Sequence, residues 1–273
     1  MNQVLCSTGC LVGRPNGRDF RLLPGCMEKL TCDGYEFMMY DSWYEQADEI
    51  AAMLRGLSVS IPVMHCEKHI GELLAKNAPG DLETAQEQFE VNCQMASFLG
   101  AGRMVLHLWN GMISDRYIEN NLVAYPWLRK MAAKHGIDLM VENVVCNQRD
   151  PMSHWRELLQ LDGNAHFTFD TKMAAFHGQM EDIYAPENRF LWEQRHIRHL
   201  HINDYSGGYM DWGNLRTLHV GQGNLDFGRL FTFLKAVKYS GDYTVEATAF
   251  DQQGEIHLDE LNQTFARIRA YRT

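Results

Sequence analysis

Short apolar runs alternate along this 273-residue chain with longer segments in which apolar residues recur every three or four positions. The short runs have the length of buried strands, and a spacing of three and four is typical of amphipathic helices. Eight strands are predicted, in the segments QVLCSTGCLV, YEFMMY, SVSIPVMH, RMVLHLWNG, IDLMVENV, AHFTFD, IRHLHIND and DYTVEAT. Strands that alternate with helices in this way indicate βαβ units and a parallel sheet.

Helices are predicted between and after these strands, in EQADEIAAMLRGL, LETAQEQFEVNCQMASFLG, RYIENNLVAYPWLRKMAAKHG, HWRELLQL, ENRFLWEQRH, GRLFTFLKAVKYSG and DELNQTFARIRAY. Gly100 and Gly241 are expected to end two of them, and Pro126 to break or kink a third. Eight strands with about eight helices predict an α/β fold, a single (β/α)8 TIM barrel. Because no linker or shift of composition interrupts the pattern, residues 1–273 are expected to form one domain.

The composition narrows the classes of function. Hydrophobic residues make up 45% of the chain and charged residues 22%, as in ordinary soluble proteins. A net charge of −10 argues against a partner with a phosphate backbone, so no nucleic acid is expected. The start lacks an export signal and no apolar stretch approaches the roughly 20 residues of a membrane span, which predicts a cytoplasmic protein. The seven cysteines lack tight pairs, which favours reduced thiols, although the four earliest could gather on a metal.

Four side chains suited to metal binding fall at the ends of successive predicted strands. They are Glu142, Asp170, His201 and Glu246, separated along the chain by 28, 31 and 45 residues. One strand–helix unit of a barrel has about 30 residues, so each gap matches one unit, the last with a long loop. Active sites of such barrels lie at the carboxyl ends of the strands. This quartet predicts one divalent ion, of Mn, Mg, Co or Zn, which would keep the carboxylates ionised.

Further candidates lie on neighbouring strands and in the loops. His65 and His107, on the third and fourth strands, could bind a substrate oxygen, hold a second metal or lie buried in the core. Trp109 and Glu36 could face the pocket, and the tryptophan could stack on an apolar face of a substrate.

The loops after the sixth and seventh strands complete the predicted substrate-binding set with Lys172, His177 and His219. Lys172 could contact an anionic group of a ligand or remain solvated. The segment HVGQGNLDF places two glycines before a helix, which suits either an anion at that amino terminus or a simple turn.

These segments resemble the xylose-isomerase-like sugar isomerase/epimerase superfamily, whose fold is the TIM barrel. The resemblance rests on VEN with Glu142, FTFDTKMAAFHG with Asp170, RHLHIND with His201, HVGQGNLDF, and YTVEA with Glu246. It implies a metal-dependent isomerase or epimerase of a sugar or sugar phosphate, with one divalent ion held by those four residues. It also implies that Glu142 and Glu246 transfer a proton on a small polyhydroxylated carbonyl substrate through a metal-stabilised enediolate.

The chain departs from parts of this superfamily. Met173 stands where many relatives have a histidine, and Gly207 where ketose 3-epimerases have an arginine, which disfavours a ketose 3-epimerase acting on free sugars. Apurinic-site endonucleases need that histidine and an Asp-x-His, whose places are taken by Leu215 and Thr217 here, so this activity is the less favoured alternative. The main alternative is a dehydratase (lyase) of a cyclic polyol ketone or shikimate-like acid, because it would use the same metal and enolate. A further alternative is a non-catalytic binding protein with the same fold. The chain could also form a homo-oligomer.

Overall fold

A computed structural model describes residues 2–251 and 253–272 of the chain. Eight parallel strands close into a barrel in the order of the sequence, so the predicted (β/α)8 TIM barrel is confirmed. The strands are β1 (Val4–Ser7), β2 (Gly34–Met38), β3 (Val63–His65), β4 (Arg103–Leu106), β5 (Asp138–Glu142), β6 (His166–Asp170), β7 (Ile197–His201) and β8 (Asp242–Val245). Nearly all their residues are buried, as expected for a parallel sheet covered on both faces.

Helices connect the strands. Those in the described residues are α1 (Leu23–Met27), α2 (Ala47–Arg55), α3 (His69–Lys76), α4 (Asp81–Leu99), α5 (Ile118–Lys134), α6 (Pro151–Leu161), α7 (Thr171–Phe176), α8 (Phe190–Glu193), α9 (Phe227–Ala236) and α10 (Leu258–Arg272). Local capping explains several of their ends. The Asp150 side chain accepts from the Ser153 amide at the start of α6, and Gly100 takes a left-handed φ of 79° after α4, as predicted.

The helices differ from the sequence prediction in a few places. α1, α3 and α7 are absent from that prediction, and α8 is much shorter than its predicted segment. α5 continues through Pro126 instead of breaking there. α9 ends at Ala236, because Lys238 adopts a left-handed φ of 54° and turns the chain, so the prediction that Gly241 ends this helix is wrong.

Contacts between residues divide the chain into two compact units. One consists of Met1–Glu36 with Phe169–Thr273, and the other of Phe37–Thr168. The organisation of residues 1–273 as one domain stays a prediction. Within the described part of the chain, no helix combines the length and the apolar character needed to cross a membrane.

The four predicted metal ligands lie where their strands end. Glu142, Asp170 and His201 are the last residues of β5, β6 and β7, and Glu246 directly follows β8. In a parallel barrel these carboxyl ends are where catalytic residues are found.

Candidate active site

In the unit formed by Phe37–Thr168, Glu142 lies against two histidines from neighbouring strands. Its Oε2 is 2.8 Å from His107 Nε2 and 3.4 Å from His65 Nε2, and all three side chains are buried. His65 Nδ1 lies 2.8 Å from the Cys66 carbonyl oxygen, which can only accept a hydrogen bond. His65 Nδ1 therefore carries a proton, and Nε2 is the nitrogen that faces Glu142.

The imidazole of His107 is neutral at pH 7. Burial lowers its pKa to about 4, although the Glu142 carboxylate favours the charged form. Nε2 lies 2.8 Å from Glu142 Oε2 and Nδ1 lies 3.1 Å from Asn110 Oδ1, so the neutral ring donates to one of these two oxygens. Potential ligand atoms of His65, His107 and Glu142 lie within 4.8 Å of one another. Of the three predicted alternatives for the two histidines, burial in the core describes both rings, and the arrangement is also compatible with a substrate oxygen or a second metal as ligand.

In the unit formed by Met1–Glu36 and Phe169–Thr273, three of the predicted ligands converge. Potential ligand atoms of Asp170, His201 and Glu246 lie within 4.8 Å of one another. His201 Nδ1 is 3.2 Å from Glu246 Oε2 and 4.0 Å from Asp170 Oδ2. The side chains of Asp170 and His201 are fully buried, whereas that of Glu246 is 14% exposed. Glu246 therefore has the solvent access that a proton-exchanging group needs.

Asn203 links the two carboxylates of this group. Its Nδ2 donates to Asp170 Oδ2 at 2.8 Å and to Glu246 Oε2 at 3.2 Å, and its Oδ1 accepts from the Glu246 amide. The Thr171 hydroxyl fixes the Asn203 backbone by accepting from its N–H and lying 2.6 Å from its carbonyl oxygen. Asn203 thus sets the spacing of Asp170 and Glu246.

Glu36, in β2, contacts the other nitrogen of His201. Both carboxylate oxygens of Glu36 lie 3.2 Å from His201 Nε2, and Oε2 is also 2.9 Å from His199 Nε2 and accepts from the Thr244 hydroxyl at 2.9 Å. Burial alone would raise the pKa of Glu36, but the imidazoles of His201 and His199 hold it well below its usual range. Because Nε2 of His201 lies between acceptor oxygens of Glu36, this nitrogen carries a proton, and Nδ1 is the nitrogen that faces Asp170 and Glu246.

This chemistry fits a divalent cation. Two carboxylates and an imidazole lone pair directed at one place repel one another unless a proton or a cation lies between them. Carboxylate oxygen and imidazole nitrogen are ligands that Mn, Mg, Co and Zn accept. The described residues therefore include buried His/Glu/Asp clusters that could hold a divalent metal.

Asp115 fixes the loop that follows Glu142. Its carboxylate accepts from the backbone amides of residues 147, 148 and 149 at 2.7–2.9 Å and lies 3.0 Å from His154 Nε2. Burial opposes ionisation of Asp115, but His154 and the three amides hold its pKa well below the usual range. Burial also opposes charge on His154, whose pKa is nevertheless raised by its hydrogen bonds to Asp115 and Glu157.

Trp109 packs inside this region. Its ring lies 5.1 Å from that of His154, its Nε1 donates to the Val144 carbonyl at 3.2 Å, and none of its surface is exposed. The structure therefore leaves no accessible face of Trp109 for the predicted stacking on a substrate.

The three predicted loop residues are buried but differ in their surroundings. Lys172 donates to the Thr217 hydroxyl at 2.9 Å, and His177 lies edge-on to Phe176. His219 contacts the Thr264 hydroxyl in α10 and the Thr248 carbonyl. Burial lowers the pKa of His219, which suits a neutral ring that packs a helix against the barrel.

The glycine pair in HVGQGNLDF forms a turn around Asp204. The amides of Gly221 and Gly223 both donate to Asp204 Oδ2 at 2.9 Å, and the Leu225 and Tyr205 amides donate to Oδ1. Because the protein's own carboxylate occupies these donors, the turn is the correct alternative and the anion site is not.

Sequence reasoning missed Asn203, Asp204 and Asp115. The first two follow β7 within RHLHIND, where polar residues directly after a barrel strand are a usable signal. Asp115 lies in a connection between β4 and α5 that carries no such signal. The seven cysteines are free thiols in this structure, and their redox state stays a prediction.

Comparison with known proteins gives one family and many solved structures. A family model described as xylose isomerase-like TIM barrel matches residues 27–268. No curated protein matches the chain significantly.

Three sugar epimerases of known structure are similar to this chain over their full lengths. A D-allulose 3-epimerase from Methylomonas sp. in complex with D-allulose is 16% identical, with 100% of this chain and 97% of that one covered and a TM-score of 0.71. A D-psicose 3-epimerase from Clostridium cellulolyticum H10 with D-tagatose is 13% identical, with 99% of both chains covered and a TM-score of 0.72. A 3-keto-D-glucoside 4-epimerase from E. coli is 16% identical, with 99% and 100% covered and a TM-score of 0.69. At these identities the likeness establishes the fold.

Proposed function

The chain belongs to the xylose isomerase-like TIM barrel family, and from this membership and its strand-end residues we propose that it is an isomerase or epimerase. The substrate is a small polyhydroxylated carbonyl compound, and the enzyme depends on a divalent metal. The similarity to three sugar epimerases supports this class of reaction.

The observation that carries the proposal is the convergence of Asp170, His201 and Glu246, whose ligand atoms lie within 4.8 Å of one another. Glu142 ends β5, the strand before β6 in the closed barrel, and is proposed as the fourth ligand. A divalent ion bound there would supply Lewis-acid stabilisation of negative charge on neighbouring substrate oxygens.

Glu142 and Glu246 are proposed as the acid–base pair. One carboxylate removes the proton from the carbon next to the carbonyl group, and a carboxylic acid returns one to the substrate. Glu246 is 14% exposed and Glu142 only 2%, so the proton on Glu246 is the one expected to exchange with solvent. His107, neutral and bonded to Glu142, holds that carboxylate in one orientation.

Hydrogen exchange tests the proposal without knowledge of the natural substrate. The Mn-loaded protein is incubated in D2O with a panel of ketoses, ketose phosphates and keto acids, and loss of the proton signal next to the carbonyl is followed by NMR. We expect exchange with at least one compound, and a 100- to 10,000-fold slower rate in Glu246→Gln and Glu142→Gln, the usual range for general acid–base groups. Glu83→Gln, at an exposed position of α4, is the matched control and should exchange like the wild type.

Absence of exchange with Mn, Mg, Co and Zn across the panel would count against the proposal. A product that absorbs in the near-UV, formed with loss of water, would identify a dehydratase instead.

A further inference from the structure

Lys172 is a buried cation without an acidic partner in the described part of the chain. It is 8% exposed and lies in the first turn of α7, two residues after Asp170. Its Nζ donates to the Thr217 hydroxyl at 2.9 Å, and no described carboxylate forms an ion pair with it.

Two other buried charged residues of the same unit have several hydrogen-bond partners within the protein. Asp204 accepts four backbone hydrogen bonds, and Glu36 lies against two imidazoles. An ammonium group has three N–H donors, and Lys172 uses one of them on a neutral hydroxyl. Since a buried charge is strongly unfavourable unless an anion or further acceptors replace its hydration, the missing counter-charge points to a ligand.

The hydrogen bond to Thr217 places Nζ next to a segment that pairs with the chain directly after β7. Two residues of chain span at most about 7 Å, which limits the distance between the Cα atoms of Lys172 and Asp170. Thr217 precedes Leu218, whose backbone pairs with that of Asp204, directly after Asn203. The hydroxyl of Thr217 accepts from Lys172 and so keeps its own proton for donation to a second group.

We propose that Lys172 and Thr217 bind the carboxylate or phosphate of an acidic sugar substrate, at the end away from the carbon that exchanges its proton. This deepens the proposed function and rests on it for the rest of the substrate. The enzyme then acts on a sugar acid or a sugar phosphate in preference to a neutral sugar of the same skeleton.

Three ligands that share one skeleton test this subsite. D-Fructose, D-fructose 6-phosphate and D-fructuronate differ at the sixth carbon, which carries a hydroxyl, a phosphate or a carboxylate. Isothermal titration of the Mn-loaded protein should give at least tenfold tighter binding of one acid than of D-fructose. The difference in affinity between that acid and D-fructose should shrink to within twofold in Lys172→Met and should also become smaller in Thr217→Val. Lys130→Met, at an exposed position of α5, is the matched control and should retain the full preference.

The pattern among the two acids identifies the anion, because a carboxylate subsite favours D-fructuronate and a phosphate subsite D-fructose 6-phosphate. Equal binding of all three ligands, no binding of any, or an unchanged preference in Lys172→Met would overturn the inference.

Inorganic phosphate and acetate separate the subsite from the proposed reaction. One of these anions alone should raise the melting temperature of the wild type in a concentration-dependent way, and should do so much less in Lys172→Met. This result in a protein that exchanges no substrate proton would uphold the subsite and reject the proposed function. Proton exchange with D-fructose as fast as with both acids would uphold the function and reject the subsite.

Discussion

Replacing Glu36 by glutamine changes one oxygen to an amide nitrogen in a fully buried position. Glu36 Oε2 accepts from the Thr244 hydroxyl and lies within hydrogen-bond distance of His199 Nε2 and His201 Nε2, and Oε1 lies 3.2 Å from the same His201 nitrogen. The side-chain oxygen of the glutamine keeps more hydrogen bonds in the Oε2 position than in the Oε1 position. Its NH2 group therefore takes the Oε1 position, next to His201 Nε2. The substitution removes the negative charge that favours a proton on His201 Nε2 and places an NH2 group about as close to this nitrogen as the remaining oxygen, so we expect the proton of His201 on Nδ1, the nitrogen that faces Asp170 and Glu246.

The expected loss of metal affinity follows from the hydrogen bond that His201 Nδ1 would have to give up on binding a cation. For His201 Nδ1 to bind a cation in Glu36→Gln, its proton must return to Nε2 and face the amide. A hydrogen bond to a charged group contributes about 1.5–3 kcal/mol, which corresponds to roughly 10- to 150-fold in affinity. Loss of partners that orient metal ligands generally costs about 10- to 100-fold, which agrees with this value.

Titration of the chelator-treated protein with Mn²⁺ should therefore give a dissociation constant about 10- to 100-fold higher in Glu36→Gln than in the wild type. Nitrogen-15 chemical shifts of His201 should change from the Nε2–H to the Nδ1–H tautomer. Glu67→Gln is the matched control, because Glu67 is also buried and lies 2.7 Å from His69 Nδ1, outside the candidate site. Unchanged metal affinity with an unchanged His201 tautomer in Glu36→Gln would falsify the reasoning, as would an equal loss in Glu67→Gln.

Two further predictions concern stability. Asp115→Ala should lower the free energy of unfolding by about 3–5 kcal/mol, because it leaves His154 and three backbone amides without their buried partner. The lowered pKa of Asp115 contributes stability above about pH 4, and that contribution is lost as the pH falls. The raised pKa of His154 contributes stability below about pH 6.5, and that contribution is lost as the pH rises. Urea unfolding should thus show that Asp115→Ala loses more unfolding free energy at pH 5.5 than at pH 8.5. An equal loss at the two pH values would exclude an ion pair between Asp115 and His154. Gly223→Ala should cost about 1–3 kcal/mol, because a Cβ would overlap Asp204 Oδ1 and the Tyr205 carbonyl oxygen. Thermal unfolding can compare it with Gly163→Ala, where nothing lies within 4 Å, and equal stability of the two variants would contradict the prediction.

The sequence was sufficient for the barrel and for the positions of the four proposed ligands. Strand and helix periodicity are local properties, so the alternation predicts eight βα units without knowledge of any contact. The carboxyl ends of parallel strands share one rim, and Glu142, Asp170, His201 and Glu246 are therefore identified from strand ends alone. Helix ends were less predictable, as Ala236 shows, because a left-handed residue other than glycine can turn the chain.

Contacts between distant residues were decided only by the tertiary structure. Glu36 and His201 lie 165 residues apart, and no local pattern indicates that one sets the tautomer of the other. The same holds for Asp204, whose carboxylate accepts from the amides of Gly221 and Gly223, which by sequence alone could also bind an anion. It holds too for Trp109, because a strand pattern does not show whether its side chain faces a pocket or the core. Lys172 is the clearest case, since a lysine is ordinarily solvated, and only the folded chain buries this one beside Thr217. Residue types and local spacing thus determine which groups can act, whereas hydrogen-bond partners and desolvation, which depend on the packed chain, decide their protonation and orientation.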